Sequence, residues 1–317
     1  MGRHNDFPDS APSENTLSLT TRREFLAAVA SCSGALALGL PSLVQASGHQ
    51  PSLQRQVLDL IRGMRFRGLI RPEEKTSWSV YDFTPRKKLV AINEDVPRQA
   101  ASMIKPFVAQ AYFYKLQDAR GKLRYTRAVR KTMEDMIRDS DNRATNRIMA
   151  IVSRHERNRG PKDVERVLKK KAPGIFRETR IVESIPPDGR TYRNLASAHD
   201  YSRFLYALWH DRMPFTDELR EIMSLPNHDR IRQGVSSIPD GVKIYDKTGS
   251  TARLCGNMGI VEAPGRRGNY YPYTFIGIIE RPSRAKHYER WITQRSNAIR
   301  AVSDLVYLDM KQRYQFA

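Results

Sequence analysis

Apolar and polar residues alternate along the chain with periods that change from segment to segment. Residues 51–64 place apolar side chains at helical spacing, which predicts an N-terminal helix with one face packed on a larger body. Residues 78–83 alternate with period two, a polar turn follows at 84–87, and an apolar run occupies 89–92. This second pattern predicts a β-hairpin directly after the first helix.

Helical periodicity dominates the middle of the chain, from about residue 101 to 234. Five candidate helices are separated by charged or Gly/Pro-rich loops, at 103–117, 127–138, 143–154, 162–170 and 198–210. Ser197 and Asp200 have the spacing of a capping box at the start of the fifth helix. Strand patterns then return in three segments, 242–247, 257–262 and 273–280. A final helix is predicted at about 287–312.

Strand segments at both ends of the chain enclose this helical middle, so the sheet must be completed by segments distant in sequence. We predict an α+β fold in which an antiparallel sheet of about five strands is flanked by the N- and C-terminal helices and carries an inserted all-helical subdomain. The predicted sheet subdomain comprises 47–98 and 235–317, and the helical subdomain comprises 99–234. A chain of 317 residues with 40% hydrophobic residues can bury a core of this size.

The first 46 residues have the organisation of an export signal. Arg22 and Arg23 directly precede a run of small and apolar residues, which resembles a twin-arginine leader, and Ala46 offers a small residue for cleavage. We therefore expect export to the periplasm or the extracellular space, with lipid anchoring at Cys32 as an alternative. An uncleaved membrane anchor or a buried helix are two further interpretations. Because glycine, serine and proline interrupt the run, no stable membrane span is expected after cleavage.

The charge of the chain is strongly unbalanced, with 54 Lys and Arg against 34 Asp and Glu and a net charge of +20. For an exported protein this field favours anionic cell-wall polymers or anionic lipid surfaces as partners over nucleic acid, unless it only makes the surface soluble. The two cysteines are Cys32 and Cys255. Since removal of the leader would leave one of them, we expect no internal disulfide.

Three short motifs contain residues that could perform chemistry. Ser102 and Lys105 are one helical turn apart, so a hydroxyl and an amine project from the same face at the start of a helix. A serine needs a base to become a nucleophile, and a lysine can serve if burial or nearby cations lower its pKa. Ser-Asp-Asn at 140–142 follows between two predicted helices, and Lys-Thr-Gly-Ser at 247–250 follows at the end of a predicted strand.

This ordered set of motifs resembles that of the class A β-lactamase and penicillin-binding serine hydrolases, and the resemblance covers about residues 50–315. It implies the β-lactamase/transpeptidase-like fold. It also implies that Ser102 attacks the amide carbonyl of a β-lactam or of a peptidoglycan stem peptide, while Lys105 accepts its proton directly or through water. Ser140 would pass a proton to the departing nitrogen, and Lys247 would complete the catalytic set.

The resemblance further implies which residues bind the substrate, namely Asn142, Thr248, Gly249 and Ser250. Asn142 would hold the lysine of the first motif, and Lys247 would bind the substrate carboxylate together with the residues that follow it. The backbone N–H groups of Ser102 and Ser250 occupy the positions of the family's oxyanion hole. Arg253 would add a second cation for the carboxylate, or it faces solvent.

Two features depart from the class A pattern. The Glu-x-x-Leu-Asn motif, whose glutamate activates the water that releases the acyl group, has no counterpart between the second and third motifs. Glu183 or Glu178 would have to substitute for it, and both are otherwise surface charges. The interval from Ser102 to Ser140 is only 38 residues, which implies a trimmed helical subdomain and an open cleft.

The motifs leave three functions open: a β-lactam hydrolase, a D,D-peptidase or other peptidoglycan amidohydrolase, and a wall-binding or β-lactam-sensing protein without turnover. The Ser-Asp-Asn motif and the twin-arginine leader support the first, which we take as the main expectation, and the missing loop motif and the strong positive charge support the second. His199, His210 and His287 show no metal-ligand spacing with cysteines or carboxylates, so neither a metal nor another cofactor is expected.

Overall fold

The computed structural model describes residues 51–154, 156, 160–186, 193–266 and 268–316. The predicted leader at 1–46 and the alternative lipidation site at Cys32 lie outside these residues. In the described part of the chain, no helix is both long enough and apolar enough to cross a membrane.

The described residues form eight α-helices, one 3₁₀ segment and seven strands. The helices are α1 Leu53–Phe66, α2 Lys105–Asp118, α3 Arg127–Ile137, α4 Asn142–Ser153, α5 Pro161–Lys171, α6 Ala198–Trp209, α7 Thr216–Met223 and α8 Tyr288–Tyr314, and the 3₁₀ segment is Ala101–Ile104. The strands are β1 Lys75–Asp82, β2 Lys87–Ile92, β3 Arg98–Gln99, β4 Leu195–Ala196, β5 Lys243–Thr251, β6 Leu254–Pro264 and β7 Tyr270–Glu280.

The main sheet has five antiparallel strands in the order β2-β1-β7-β6-β5. The N-terminal hairpin pairs with the last strand, with Trp78 opposite Gly277, so the two ends of the chain complete one sheet. The predicted α+β class and the predicted antiparallel five-stranded sheet are therefore confirmed.

Helices cover both faces of this sheet. Successive residues of β7 are buried and point to opposite faces. Ile276 and Ile278 belong to the large core shared with α6 and the other middle helices. Gly277 lies on the opposite face, where a Cβ atom added to it would contact Ile299 of α8. The terminal helices α1 and α8 contact each other on that side.

Polar side chains define several helix starts. Ser52, Thr126 and Asp141 each accept a hydrogen bond from a backbone N–H in the first turn of the helix that follows. Ser197 does the same for α6, since its Oγ accepts from the Asp200 N–H at 3.0 Å. The carboxylate of Asp200 also binds outside its own helix, where it accepts from the backbone and side chain of segment 178–179.

Three elements differ from the sequence-based expectation. Helix α7 was not predicted, and it begins after Phe215, which has a left-handed backbone with φ of 59°. Strands β3 and β4 pair across almost a hundred residues, so local periodicity could not reveal them. Strand β5 continues to Thr251 instead of ending at Lys247, because its polar end pairs with β6.

Candidate active site

Ser102 lies in the 3₁₀ segment directly before α2, between the buried side chains of Ala101 and Met103, and is itself half-buried. Ala101 has a left-handed backbone with φ of 46°. A non-glycine residue in this region costs about 1–3 kcal/mol and persists only where the surrounding structure enforces it. The backbone turn before α2 is therefore held in a strained shape that presents the hydroxyl of Ser102.

Strand β5 holds this turn by close approach. A Cβ atom at Gly249 would lie 2.9 Å from Met103 Cγ, 3.2 Å from Ala101 Cβ and 3.3 Å from the Met103 backbone nitrogen. Only glycine lets the third motif approach the first motif this closely. Gly249 thus sets the spacing between the strand and the serine turn.

Lys105 begins α2 and is fully buried. Its Nζ donates to Asn142 Oδ1 at 3.0 Å, to Ser140 Oγ at 3.2 Å and to the Ser140 carbonyl oxygen at short range. Burial and, to a smaller extent, the positive charge of Lys247 together lower the pKa of Lys105 from 10.5 to about 7. The first two motifs therefore meet at an amine that can be neutral near pH 7.

The Ser-Asp-Asn motif forms the junction between α3 and α4. Ser140 has a left-handed backbone with φ of 60°, so the second motif also contains a strained residue. Asp141 caps α4 by accepting from the Ala144 N–H at 2.5 Å, and its own N–H donates to the Asp135 carbonyl. This capped turn aims Ser140 and Asn142 at Lys105 while Asp141 points into the helix start.

Lys247 is buried in the middle of β5, and its Nζ donates to Thr248 Oγ1 at 3.5 Å. Burial lowers the pKa of Lys247 to about 8, an effect opposed by Asp246 and reinforced by Arg230. Asp246 is also buried, and desolvation raises the pKa of its carboxyl to about 6. Lys105 and Lys247 thus both have lowered pKa values, and the positive charge of Lys247 contributes to the lowered pKa of Lys105.

Arg230 is a site residue that the sequence analysis missed. It is buried in the irregular segment between α7 and β5, and its guanidinium donates to Ser250 Oγ at 2.6 Å, to the Gly256 carbonyl at 2.7 Å and to Ser296 Oγ at 2.8 Å. It brings a fixed positive charge to the serine of the third motif. Neither a motif nor a periodic pattern marks its position, so only the packing of this segment identifies it.

Arg253, which the sequence analysis considered as a cation for the substrate, lies at the turn between β5 and β6. Its Nε donates to the Arg281 carbonyl at 3.4 Å, and its backbone N–H donates to Thr251 Oγ1 at 3.1 Å. Arg230 donates to Ser250 Oγ, at 2.6 Å. Whether Arg253 binds substrate stays a prediction.

The two candidate deacylation bases lie in the segment after α5. The Glu183 carboxylate accepts from the Arg193 backbone N–H and from Arg193 Nε, each at 2.8 Å. The Glu178 side chain is exposed. Neither carboxylate has a hydrogen bond to Lys105 or Asn142 among the described contacts, so a role of either in activating water stays a prediction.

The same segment nevertheless reaches the second motif through its backbone. Asn146 and Ile185 exchange two hydrogen bonds, of 2.6 and 2.9 Å, and Asn142 Nδ2 donates to the Pro186 carbonyl at 3.4 Å. The loop that borders the site is thus attached to α4 by amide side chains. Residues 187–192, which follow directly, lie outside the described residues.

One group of possible metal ligands occurs elsewhere among the described residues. Glu94, Asp95 and His199 bring one ligand atom each within 4.8 Å of one another, although His199 is far from both carboxylates in sequence. Lys88 Nζ already lies 2.7 Å from the Glu94 carboxylate, and His199 Nδ1 lies 2.7 Å from that of Asp95. The ammonium of Lys88 therefore offsets part of the negative charge of this cluster.

Solved structures share this fold. A PBP-A variant in an acyl-enzyme complex with penicillin G is 19% identical, with 86% of this chain and all of that chain covered and a TM-score of 0.64. A class A β-lactamase from Bacteroides cellulosilyticus DSM 14838 is 15% identical, with coverages of 83% and 100% and a TM-score of 0.64. The TLA-1 extended-spectrum β-lactamase is 15% identical, with coverages of 82% and 98% and a TM-score of 0.63.

No match is found among curated proteins. A family model described as the β-lactamase enzyme family matches residues 64–307, which is more than half of the chain. This range contains all three motifs that meet around Lys105. The chain therefore belongs to the β-lactamase enzyme family, and it shares the fold of these solved structures.

Proposed function

We propose that the protein is an active-site serine hydrolase in which Ser102 attacks the amide carbonyl of a β-lactam or a related peptide amide and forms an acyl-enzyme. The observation that carries the proposal is the buried amine of Lys105, whose pKa is lowered to about 7. About half of such amines are neutral at pH 7, whereas an ordinary lysine is almost fully protonated there. A neutral amine one helical turn from Ser102 can accept the proton of its hydroxyl.

The acylation step follows from these contacts. The O–H bond of Ser102 breaks, its proton moves to Lys105 Nζ, and a bond forms between Ser102 Oγ and the carbonyl carbon. The backbone N–H groups of Ser102 and Ser250 would stabilise the resulting oxyanion. When the C–N bond then breaks, Ser140 donates a proton to the departing nitrogen and regains one from the Lys105 ammonium, with which it is hydrogen-bonded.

Substrate anchoring would use the cations of the third motif. Lys247 is buried near Thr248, and Arg230 donates to Ser250, so two positive charges border the hydroxyls of β5. A carboxylate next to the reacting amide, as in β-lactams and in peptides with a free C-terminus, has the charge that this surface binds. Asn142 would bind the amide side chain of the substrate while it holds Lys105.

The ion pair between Glu183 and Arg193 favours a second candidate, a D,D-peptidase or other peptidoglycan amidohydrolase that binds penicillin covalently. Hydrolysis of the acyl-enzyme needs a base that activates water. The Glu183 carboxylate accepts two hydrogen bonds from Arg193, which compete with this task. The acyl group left by a β-lactam would then persist, as in a penicillin-binding protein.

The test combines mass measurement with turnover. Purified protein is mixed with penicillin G and weighed intact over time, and hydrolysis of a chromogenic cephalosporin is followed in parallel. We expect a mass gain equal to one penicillin. If the adduct is lost quickly and the cephalosporin is hydrolysed, the protein is a β-lactamase. If the adduct persists, the protein is a penicillin-binding peptidase or a sensor. Of these two, only the peptidase should cleave a peptide that ends in D-Ala-D-Ala.

Two serine variants control this experiment. Ser102→Ala removes the nucleophile and should show neither adduct nor turnover, while Ser236→Ala, at an exposed position, should behave as wild type. If the wild-type protein neither gains mass nor hydrolyses any of these substrates, the active-serine proposal is wrong.

We also propose export by the twin-arginine route, on the strength of Arg22, Arg23 and the apolar run that follows them. N-terminal sequencing of the exported protein should begin at Ser47. A lipid-modified Cys32 at the N-terminus would indicate anchoring instead, and a cytoplasmic chain that keeps residue 1 would contradict export.

A further inference from the structure

A strongly basic cavity lies where β7 leads into α8, outside the candidate active site. It has a volume of about 510 Å³. Six basic side chains line it, namely Arg71, Arg281, Arg284, Lys286, Arg290 and Arg295. Three chain segments contribute to it: the loop after α1, the loop after β7, and the first two turns of α8. Four of the six basic residues lie within 281–290, and folding adds Arg71 from a distant segment and Arg295 from the next turn of α8.

Negative charge is scarce around this cavity. Among the described residues that line it, none carries a carboxylate. No described carboxylate lies within ion-pair distance of Arg284, Lys286 or Arg290, all three of which are exposed, and Arg71 reaches only Glu73, at 4.0 Å. Several positive charges therefore face solvent together, and an anion would lower their mutual repulsion.

The floor of the cavity is rigid. Trp291 donates to Glu74 through its Nε1 at 2.6 Å, and Arg295 forms an ion pair with the same carboxylate at 2.7 Å. The guanidinium of Arg281 lies 5.7 Å from the centre of the Trp291 ring, and its buried Nε has no hydrogen-bond partner in the described part of the chain. The positive lining is thus preorganised and not fully satisfied by the protein itself.

An exposed aromatic residue lies close in sequence to one residue that lines this cavity. Phe66 ends α1 and is 94% exposed, a higher value than for any other large hydrophobic side chain among the described residues. It is two residues from Gly68, which lines the cavity, so the two Cα atoms are within about 8 Å. Arg65 fixes the loop that follows, since its guanidinium donates to the carbonyl groups of Arg71 and Glu74 at 2.7 Å.

We propose that this surface, formed by the basic cavity and Phe66, docks the protein on a membrane that contains anionic phospholipids. The phosphodiester headgroup would enter the cavity between the arginines, and Phe66 would insert among the lipid chains. Arginine binds phosphate in a bidentate manner, and each basic residue near an anionic membrane adds to the attraction. A soluble polyanion would satisfy the charges but would make no use of the exposed phenyl ring of Phe66, whereas a membrane would bind both.

The surface is connected to the candidate active site through backbone hydrogen bonds. The N–H groups of Arg281 and Ala285 donate to the carbonyls of Arg253 and Ala252, each at 2.8 Å. These acceptors form the turn directly after the strand that carries Ser250. Docking would therefore hold the candidate active-site cleft close to the membrane surface. The relevance of this position to catalysis rests on the proposed hydrolase function. The docking itself does not rest on that function.

Vesicle sedimentation tests the proposal. The full-length chain is mixed with vesicles of phosphatidylcholine alone or with phosphatidylglycerol added, and the bound fraction is measured. We expect the wild-type protein to bind only to the anionic vesicles. The triple variant Arg284→Glu, Lys286→Glu and Arg290→Glu should bind these vesicles about a hundredfold more weakly than wild type. At high salt, Phe66→Ser should also bind them more weakly than wild type. Equal binding to the neutral and the anionic vesicles would contradict the proposal.

Matched variants separate this surface from the general charge of the protein. Lys162→Glu, Lys170→Glu and Arg180→Glu make the same change in net charge at exposed positions on and after α5, and Leu308→Ser removes a half-exposed apolar side chain far along α8. These controls should bind nearly as wild type does. Equal loss in both triple variants would overturn the proposal.

Two more readouts complete the test. If the protein does not bind anionic vesicles, or if soluble polyphosphate binds through the same three residues while vesicles do not, the lipid proposal is wrong. Acylation by penicillin G, measured in solution, should be unchanged in the triple variant. Failure of docking and failure of the hydrolase function are therefore detected separately.

Discussion

Lys105 shows how one side chain links burial to chemistry. As an ammonium it satisfies all three of its acceptors, two on Ser140 and one on Asn142. As a neutral amine it keeps two donors and offers a lone pair, which the hydroxyl of Ser102 or Ser140 can use. The lowered pKa keeps both forms available near neutral pH.

At the residue scale we predict a bell-shaped pH dependence of acylation. The second-order rate constant should rise with pH through about 7, since Lys105 must lose its proton to act as a base. It should fall above about 8, because Lys247 then loses the charge that anchors the substrate carboxylate. Stopped-flow acylation by a β-lactam, from about pH 5 to 10, measures both limbs.

Lys247→Arg is the matched variant for this profile, because arginine keeps its charge throughout that pH range. It should lose the upper limb and keep the lower one. A wild-type rate that does not change around pH 7 would contradict the role of Lys105.

At the element scale, strand β5 and the 3₁₀ segment form one unit. Their contact depends on Gly249, where a Cβ would meet Met103 and Ala101 at 2.9–3.3 Å. The strained residue Ala101 lies in the turn that meets this strand, and the strained residue Ser140 lies in the turn that meets Lys105. The geometry of the site is thus decided by how a strand and two turns approach each other.

We predict that Gly249→Ala moves the serine turn away from its partners. Acylation should slow by about a hundredfold, since a shift of about 1 Å at a reacting group has that effect. The free energy of unfolding should fall by about 1–3 kcal/mol from overpacking. Gly174→Ala is the control, because a Cβ at Gly174 would have no atom within 4 Å. Equal acylation rates for the two variants would refute this account of the site.

At the scale of the whole molecule, a buried ion pair connects the two ends of the sheet subdomain. Glu74 follows α1, and Arg295 lies on α8, 221 residues later. Both side chains are almost completely buried, and Glu74 also accepts from Trp291 and from the Arg71 backbone N–H. Loss of one partner would leave an uncompensated charge in the core.

Glu74→Gln should therefore lower the free energy of unfolding by about 3–5 kcal/mol. The double variant Glu74→Gln/Arg295→Met should recover part of this loss, since the second change removes the unpaired charge. Thermal unfolding followed by circular dichroism measures both. Asp59→Asn, which breaks exposed ion pairs on α1, should change the melting temperature little. A similar small effect of Glu74→Gln would show that this pair is not important for stability.

The sequence by itself determined the elements with strong periodicity and the order of the motifs. The N-terminal helix, the first hairpin, the last helix and the five-stranded α+β class follow from apolar patterns, because burial of one face imposes a period on the residues. The Ser102 motif, the Ser140 motif and the Lys247 motif were recognised from residue types and spacing. These features are local, so a local pattern can encode them.

Tertiary structure alone decided what joins distant segments. Three features depend on residues far apart in the chain: the pairing of β3 with β4, the guanidinium of Arg230 beside Ser250, and the basic cavity near Phe66. The lowered pKa of Lys105 also requires burial, which no spacing of Ser102 and Lys105 can reveal. Local patterns fix which residues can react, and long-range packing fixes the desolvation and the charges around them.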